Sequence, residues 1–296
     1  MTADDASHEF AEGDEIAPGR TVLKHLGGGS RYEVLLVWDE PRFAVMVAKV
    51  LRPEISGDPE MLEDLRDEAE ALDALSHPVI LRRFDAVFDG PFPHLLVEHL
   101  EGPTLRRLLR AEKKLPLQQL LPLALHVAAG LRYMALAGWV HLDIKPDNLI
   151  MGVPPRIIDL SIARTVERAA RTRGALGTDP YMAPEQCGVP GYEGLLGPPA
   201  DVFGLSATVW RAATGANPFP RERGTGDHED PAVRFPQLVA PPPEPPRDMP
   251  AALAELLLAS LARDPSERPD ARGFALALEP LVAALPSKAR FGRRRR

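Results

Sequence analysis

The sequence predicts an α+β protein in two parts, a small strand-rich part followed by a larger, mainly helical one. Three observations carry this. Short β-prone runs crowd the first hundred residues, long apolar-periodic stretches dominate after Gly102, and a change of character falls near Glu98–Gly102. Thr21 to Leu26, Tyr32 to Trp38 and Phe43 to Leu51 read as strands separated by Gly, Pro and charge. Pro59 to Leu75 follows with Leu62, Leu65, Ala69, Leu72 and Leu75 at helical spacing, and Val87-Phe88 and His94 to Glu98 read as two more strands. In the second part Leu105 to Ala111, Pro116 to Ala137, Ala200 to Thr214, Pro250 to Ala262 and Ala271 to Ala284 are helix candidates. The second of these is long and apolar, as a central core helix would be.

Composition bounds the function. The 296 residues are 45% hydrophobic and 26% charged with a net charge of −7, so global disorder is not expected and no basic footprint for nucleic acid is present. No internal repeat is visible. Met1 to Asp14 is acidic and polar, unlike a signal peptide, and no run of 18 uninterrupted apolar residues occurs, so no membrane span is expected. The single cysteine, Cys187, excludes an internal disulfide and fits a reducing, cytoplasmic setting; it reads as a packed small residue or, alternatively, as a redox sensor. Residues 1–18 are expected to be a flexible segment and 286–296 a basic tail ending in Arg293 to Arg296. Pro218 to Pro250 is rich in Pro, Gly and charge, and reads as an extended surface connector or a Pro-rich partner site.

The chemistry concentrates in His141-Leu142-Asp143-Ile144-Lys145-Pro146-Asp147-Asn148 and, about ten residues on, Ile157-Ile158-Asp159-Leu160-Ser161. Phosphoryl transfer from ATP asks for a carboxylate near the attacking hydroxyl, cations against the phosphates and hard oxygen ligands for Mg²⁺. Asp143 supplies the first, Lys145 the second, and Asn148 with Asp159 the third. Leu26-Gly27-Gly28-Gly29 joins two strand candidates and reads either as a loop whose N–H groups approach phosphates or as a plain hairpin turn. Lys49, flanked by Val47, Ala48 and Val50, reads as directed into a cleft rather than as a solvated edge residue.

Together these motifs resemble the protein kinases of the bacterial Ser/Thr type, the Hanks-type or eukaryotic-like family, over roughly Gly19 to Leu285. The resemblance implies a bilobal fold with a small antiparallel-sheet N-lobe bearing one helix (19–98), a hinge (98–102) and a mainly helical C-lobe (103–285). It implies ATP- and Mg²⁺-dependent transfer to protein Ser/Thr hydroxyls, with Mn²⁺ as a possible substitute and autophosphorylation included. Asp143 resembles the catalytic base, Lys145 the lysine on the transferred phosphate, and Thr178 the hydroxyl bridging the two. Lys49 resembles the lysine that holds the α- and β-phosphates, and Glu68 its helix partner, with Glu70 as competitor. Leu26, Gly27, Gly28, Gly29, Val34, Val47 and Val97 would surround the nucleotide, and backbone groups of Glu98 and Leu100 would bind adenine. Glu185, closing Gly177 to Glu185, would pair with Arg268, and Asp201 would brace the catalytic loop.

Four departures stand out. Tyr32 replaces the third loop glycine and stiffens the loop, either covering or crowding the nucleotide. Leu142 stands where an arginine commonly receives an activation-segment phosphate, so activity should depend little on Thr165 or Thr172. Ser161 replaces a glycine, and Arg221 to Pro246 lacks a clear amphipathic helix. Two alternatives follow: a pseudokinase acting through partners, which Tyr32, Leu142 and Ser161 favour, and a small-molecule phosphotransferase, which lacks counterparts of Lys145 and Gly177 to Glu185. Substrate, activating signal and oligomeric state are not encoded in any motif.

Overall fold

The structure, a computed structural model, describes residues 10–190, 195–221 and 230–286. The chain divides into two compact units, the first built from residues up to 76 together with 81–101, the second from 77–80 together with 102 onwards.

The first unit is a six-stranded antiparallel sheet with one helix. In chain order it holds β1 (Glu15–Ala17), β2 (Arg20–Gly28), β3 (Tyr32–Asp39), β4 (Ala44–Leu51), α1 (Pro59–Ala74), β5 (Arg83–Val87) and β6 (His94–Glu98), with the strands ordered β1-β2-β3-β4-β6-β5. Alternation in β3 and β4 sends Leu35, Val37, Met46, Ala48 and Val50 to one face, where they form a core with Phe10, Ile16, Val22 and Leu96. Tyr32, Val34, Val47, Lys49 and Val97 belong to the opposite face by register, since Val34 faces Lys49 and Val47 faces Val97. The period of two therefore separates the core face of the sheet from the face that carries Lys49.

Two expectations are corrected here. Residues 10–18 were expected within a flexible segment, yet Phe10 is buried edge-on against Phe92, and Glu15–Ala17 pairs with β2. A three-residue strand leaves no readable periodicity. The strand expected at Val87-Phe88 runs instead over Arg83–Val87, held by pairing with β6.

A buried polar network ties this sheet together. The Arg20 guanidinium meets Asp39 (3.0 Å), His94 Nε2 (2.9 Å) and Asp85. His94 Nδ1 lies 2.7 Å from the Phe92 carbonyl, which can only accept, so Nδ1 carries the proton and Nε2 accepts from Arg20. Burial first, and the Arg20 charge with it, hold the His94 imidazole below its usual value. The unfolded chain therefore takes up this proton at higher pH than the folded one. Stability is complete above the unfolded value near 6.5 and declines as pH falls toward the depressed folded value. The unfolding midpoint, followed by circular dichroism, is expected to drop between about pH 7 and pH 5, with a smaller slope in His94→Gln. An equal slope in both proteins would contradict this.

The second unit is mainly helical: α2 (Leu105–Glu112), α3 (Leu117–Leu136), the short strands β7 (Trp139–Val140), β8 (Leu149–Ile150), β9 (Arg156–Ile157) and β10 (Arg164–Thr165), then α4 (Val166–Ala170), α5 (Pro198–Thr214), α6 (Pro231–Arg234), α7 (Ala251–Ser260) and α8 (Ala271–Ala283). α5 starts two residues earlier than Ala200 because Pro198 fits the first helical turn. Although no uninterrupted apolar run was found, α3 is long and apolar enough to cross a membrane by composition. It packs against α5 and α8, however, and buries Leu120, Leu123, Val127 and Leu131. Residues 77–80, expected in the first part, join the second unit: Ile157 N–H donates to Val79 O (2.6 Å) and His77 stacks on Tyr133.

The segment expected as a surface connector is anchored. Phe235 and Leu238 are buried in a cluster with Met182 and Cys187, while the run from Pro241 to Pro246 is without regular structure. Cys187 is buried, and that burial pushes its thiol up to about 12, which makes it a packing residue. The part of the connector at 222–229, residues 1–9 of the expected flexible segment, and Ser287 to Arg296 of the basic tail lie outside the described residues.

Candidate active site

In the first unit the site begins at α1. Asp58 caps the helix by accepting from Glu60 N–H, and Pro59 occupies its first turn. Helical spacing then buries Leu65, Glu68 and Leu72 and leaves Glu70 exposed, which settles the competition between the two glutamates. Lys49 Nζ donates to both Glu68 oxygens, at 2.9 and 2.7 Å, and Glu68 is only 2% exposed. The Tyr32 ring lies 4.5 Å from the same ammonium.

Gly27 and Gly28 end β2, paired with Val34 and Glu33, so the hairpin and the glycine run are one feature. Gly27 adopts φ +145°, and a Cβ on Gly28 would meet Tyr32 O at 2.7 Å. Gly29 N–H closes the turn on Tyr32 O (2.9 Å). The loop is fastened by Arg31 to Asp64 (2.9 Å) and by Arg52, which reaches Gly29 O (2.7 Å) and Glu33 (2.7 Å). Leu26 is half-exposed, Val34 and Val47 are partly buried, and Val97 is buried. Glu98 N–H donates to Arg82 O (3.0 Å), and Leu100 is partly buried in the segment after β6.

In the second unit, Asp201 on α5 is buried and accepts from His141 N–H (2.8 Å) and Leu142 N–H (2.7 Å). Burial pushes its carboxyl up, opposed by the neighbouring imidazole and those two donors. This brace holds Leu142 at φ +67°, a conformation unusual for a leucine. Gln186 adds a second brace, donating to Leu142 O (2.7 Å) and Leu176 O (2.8 Å).

The loop so fixed presents Asp143. Lys145 Nζ donates to Asp143 Oδ2 (2.6 Å) and to Thr178 Oγ1 (2.7 Å), and Asn148 Nδ2 donates to Asp143 O (2.9 Å) and Oδ2 (3.2 Å). Asp143 Oδ1 is buried and has no hydrogen-bond partner among the described residues. The second unit thus brings together Asp143, Lys145, Asn148 and Thr178.

Asp159 is positioned by the β8–β9 pair: Leu149 faces Ile157, and Ile158 N–H donates to Asn148 O (2.9 Å). Asp159 itself takes φ +63°, and Leu160 behind it is fully buried. The left-handed residue is the aspartate, and Ser161 is not among the residues with positive φ. Asn148 commits its amide nitrogen to Asp143; its amide oxygen and the Asp159 carboxylate are hard donors of the type Mg²⁺ takes.

Glu185 and Arg268 form a buried pair at 2.6 and 2.8 Å, and the guanidinium also donates to Ala262 O, Pro199 O and Arg263 O. Sequence reasoning missed three supports. Gln186 follows Glu185 directly, but its long-range acceptors leave no local signal. Asp179 meets Arg234 (3.1 Å) and Arg221; burial alone would raise its carboxyl, but these two guanidinium groups hold it below the usual range. Gln237 donates to Asp179 O and Met182 O, both at 3.0 Å. Residues 179–187 are therefore buttressed from the segment read as a connector.

A protein kinase domain model matches residues 20–276. A serine/threonine-protein kinase drp72 of Corynebacterium efficiens is 30% identical over 276 residues, 90% of this chain and 51% of that protein. The probable serine/threonine-protein kinase PkwA of Thermomonospora curvata is 32% identical over 257 residues, 86% of this chain and 33% of its own length. The serine/threonine-protein kinase PknA of Mycobacterium tuberculosis is 31% identical over 244 residues, covering 78% and 54%. The chain spans about half the length, or less, of these curated relatives.

Proposed function

This chain belongs to the protein kinase family, and on that premise we propose that it transfers the γ-phosphoryl group of ATP to serine and threonine hydroxyls of proteins, itself included. The observation that carries this reading is Asp143 Oδ1, a buried carboxylate oxygen without a partner among the described residues, beside a lysine that also holds a threonine hydroxyl. In the reaction the acceptor hydroxyl forms its bond to the γ-phosphorus, gives its proton to Asp143, and the bond to the β-phosphate oxygen breaks to release ADP.

Lys145 meets the charge on the transferred group, and Thr178 fixes its direction. Lys49, held by Glu68, faces the α- and β-phosphates. The face carrying Val34, Val47 and Val97 takes the adenine, with Leu26 and the glycines over the phosphates and the backbone of Glu98 and Leu100 on the base edge. Asn148 and Asp159 would hold Mg²⁺, or Mn²⁺ in its place, which when bound neutralises phosphate charge. A reducing, cytoplasmic setting is supported by the single cysteine, buried and unpaired with another. Protein acceptors are supported by Gly177 to Glu185, a segment anchored at both Thr178 and Glu185.

The acceptor class is tested by offering a generic basic protein and an aminoglycoside side by side with Mg·ATP. Label on the protein alone is the expected result; label on the aminoglycoside alone would overturn the reading.

Phosphorylation is expected to matter little for activity. Leu142 is buried and offers no cation, and the Thr172 hydroxyl is held by Arg164 (3.0 Å) without any phosphate. Thr165 caps α4 by accepting from Arg168 N–H (3.3 Å), and losing that cap costs about 1 kcal/mol of local stability. A Thr165→Ala, Thr172→Ala double variant should keep most of its turnover in a steady-state assay. A collapse of turnover would show that a phosphate orders this segment.

A further inference from the structure

The face of the first unit that carries Lys49 holds a group that the proposed chemistry does not use. Tyr32 opens β3, and the register sets Tyr32 opposite Leu51 and Val34 opposite Lys49, so all four side chains leave the sheet on one side. The Tyr32 ring lies against the Lys49 ammonium, 4.5 Å from Nζ to the ring centroid, while that ammonium faces both Glu68 oxygens. The phenol oxygen is buried and has no hydrogen-bond partner among the described residues. A buried donor without an acceptor is destabilising, and such groups in folded proteins commonly mark a site completed by something else.

The surroundings say what completes it. Burial pushes the phenol up to about 12, with Lys49 opposing and Glu68 and Asp64 adding to the shift, so the hydroxyl keeps its proton. It is a neutral donor beside an ammonium, a pairing that suits an acceptor carrying negative charge. The loop that leads into Tyr32 is fixed by the ion pair of Arg31 with Asp64 and by the Arg52 contacts to Gly29 O and Glu33. The ring is therefore placed in advance rather than swept in by a mobile loop.

We propose that Tyr32 contacts the polyphosphate: its hydroxyl donates to an anionic oxygen of the nucleotide that Lys49 faces, and its ring holds Lys49 on Glu68. This rests on the phosphotransfer reading and deepens it. A side chain here does what backbone approach at a third glycine would do elsewhere. Tyr32 covers the phosphates instead of crowding them out.

Calorimetric titration of ATP and of adenosine into the parent, Tyr32→Phe and Tyr32→Leu tests this. Tyr32→Phe keeps the ring and loses the donor, so ATP should bind about tenfold more weakly, as loss of a hydrogen bond to a charged acceptor implies. Adenosine, which has no phosphate, should bind all three proteins equally and reports that each is folded. Tyr32→Leu also loses the ring and should weaken ATP further. Tyr32→Phe binding ATP as tightly as the parent would overturn the inference alone, as would equal losses for ATP and adenosine. A parent that binds neither would overturn the phosphotransfer reading together with it.

Discussion

Asp143→Asn is expected to lower the single-turnover rate of phosphoryl transfer by about 10²–10⁴-fold while ATP affinity and unfolding midpoint stay close to the parent's. The magnitude is that of a positioned general base, and an amide of the same shape cannot take the acceptor's proton. The geometry argues for a pure loss of chemistry. Lys145 and Asn148 both donate to Oδ2, and an amide can present its oxygen to them. The backbone brace from Asp201 to His141 and Leu142 does not involve the Asp143 side chain. Rapid-quench measurement of the first turnover separates the chemical step from product release. A rate within a factor of about three of the parent's would remove Asp143 from the role of base.

Arg268→Ala is expected to destabilise the second unit by about 3–5 kcal/mol, the range for breaking one side of a buried ion pair. The Arg268 side chain is fully buried and that of Glu185 is 2% exposed, so water cannot replace the lost partner. Five guanidinium N–H bonds disappear at once, three of them to the backbone at Ala262, Pro199 and Arg263. The Phe203 ring, 5.0 Å from the guanidinium carbon, loses its neighbour as well. Lysine would not substitute, since three donors on a flexible stem cannot serve five acceptors in a plane. Differential scanning calorimetry should show a midpoint lowered by on the order of 10 °C. Replacing both partners, as Glu185→Leu with Arg268→Met, should recover much of that loss, because no charge is then stranded. A single variant as stable as the parent would show that the pair is not a structural lock.

The fold was legible where periodicity was strong or chemistry was dense. The β-prone runs Tyr32 to Trp38 and Phe43 to Leu51, set off by Gly, Pro and charge, marked the strands, and its apolar flanks marked Lys49 as a residue directed into a cleft. The spacing of Leu65, Ala69 and Leu72 marked α1, while the pairing of Lys49 with Glu68 was an expectation of the family resemblance, with Glu70 as its competitor. The loop from His141 to Asn148 was legible because eight specified residues leave little room for chance.

What escaped was fixed by distant contacts. Glu15–Ala17 is a strand only because β2 pairs with it. Phe235 and Leu238 lie among prolines that signal extended chain, and only Met182 and Cys187, some fifty residues earlier, make them core residues. Gln186 reads as surface polar in sequence, yet its two carbonyl acceptors and Ala183 N–H fix it between segments. Leu142 adopts left-handed backbone that no residue preference announces, whereas Asp159 is of a type that tolerates it; the brace from Asp201 and the fully buried Leu160 accompany the two conformations.

The most direct test of the central claim is transfer of labelled γ-phosphate from Mg·ATP to a generic basic protein and to the chain itself, followed by acid hydrolysis and identification of the labelled amino acids, with Asp143→Asn as background. Phosphoserine and phosphothreonine well above that background are predicted. Label no higher than the variant's, in a protein that still binds ATP, would contradict the account and leave a nucleotide-binding module that works without phosphoryl transfer.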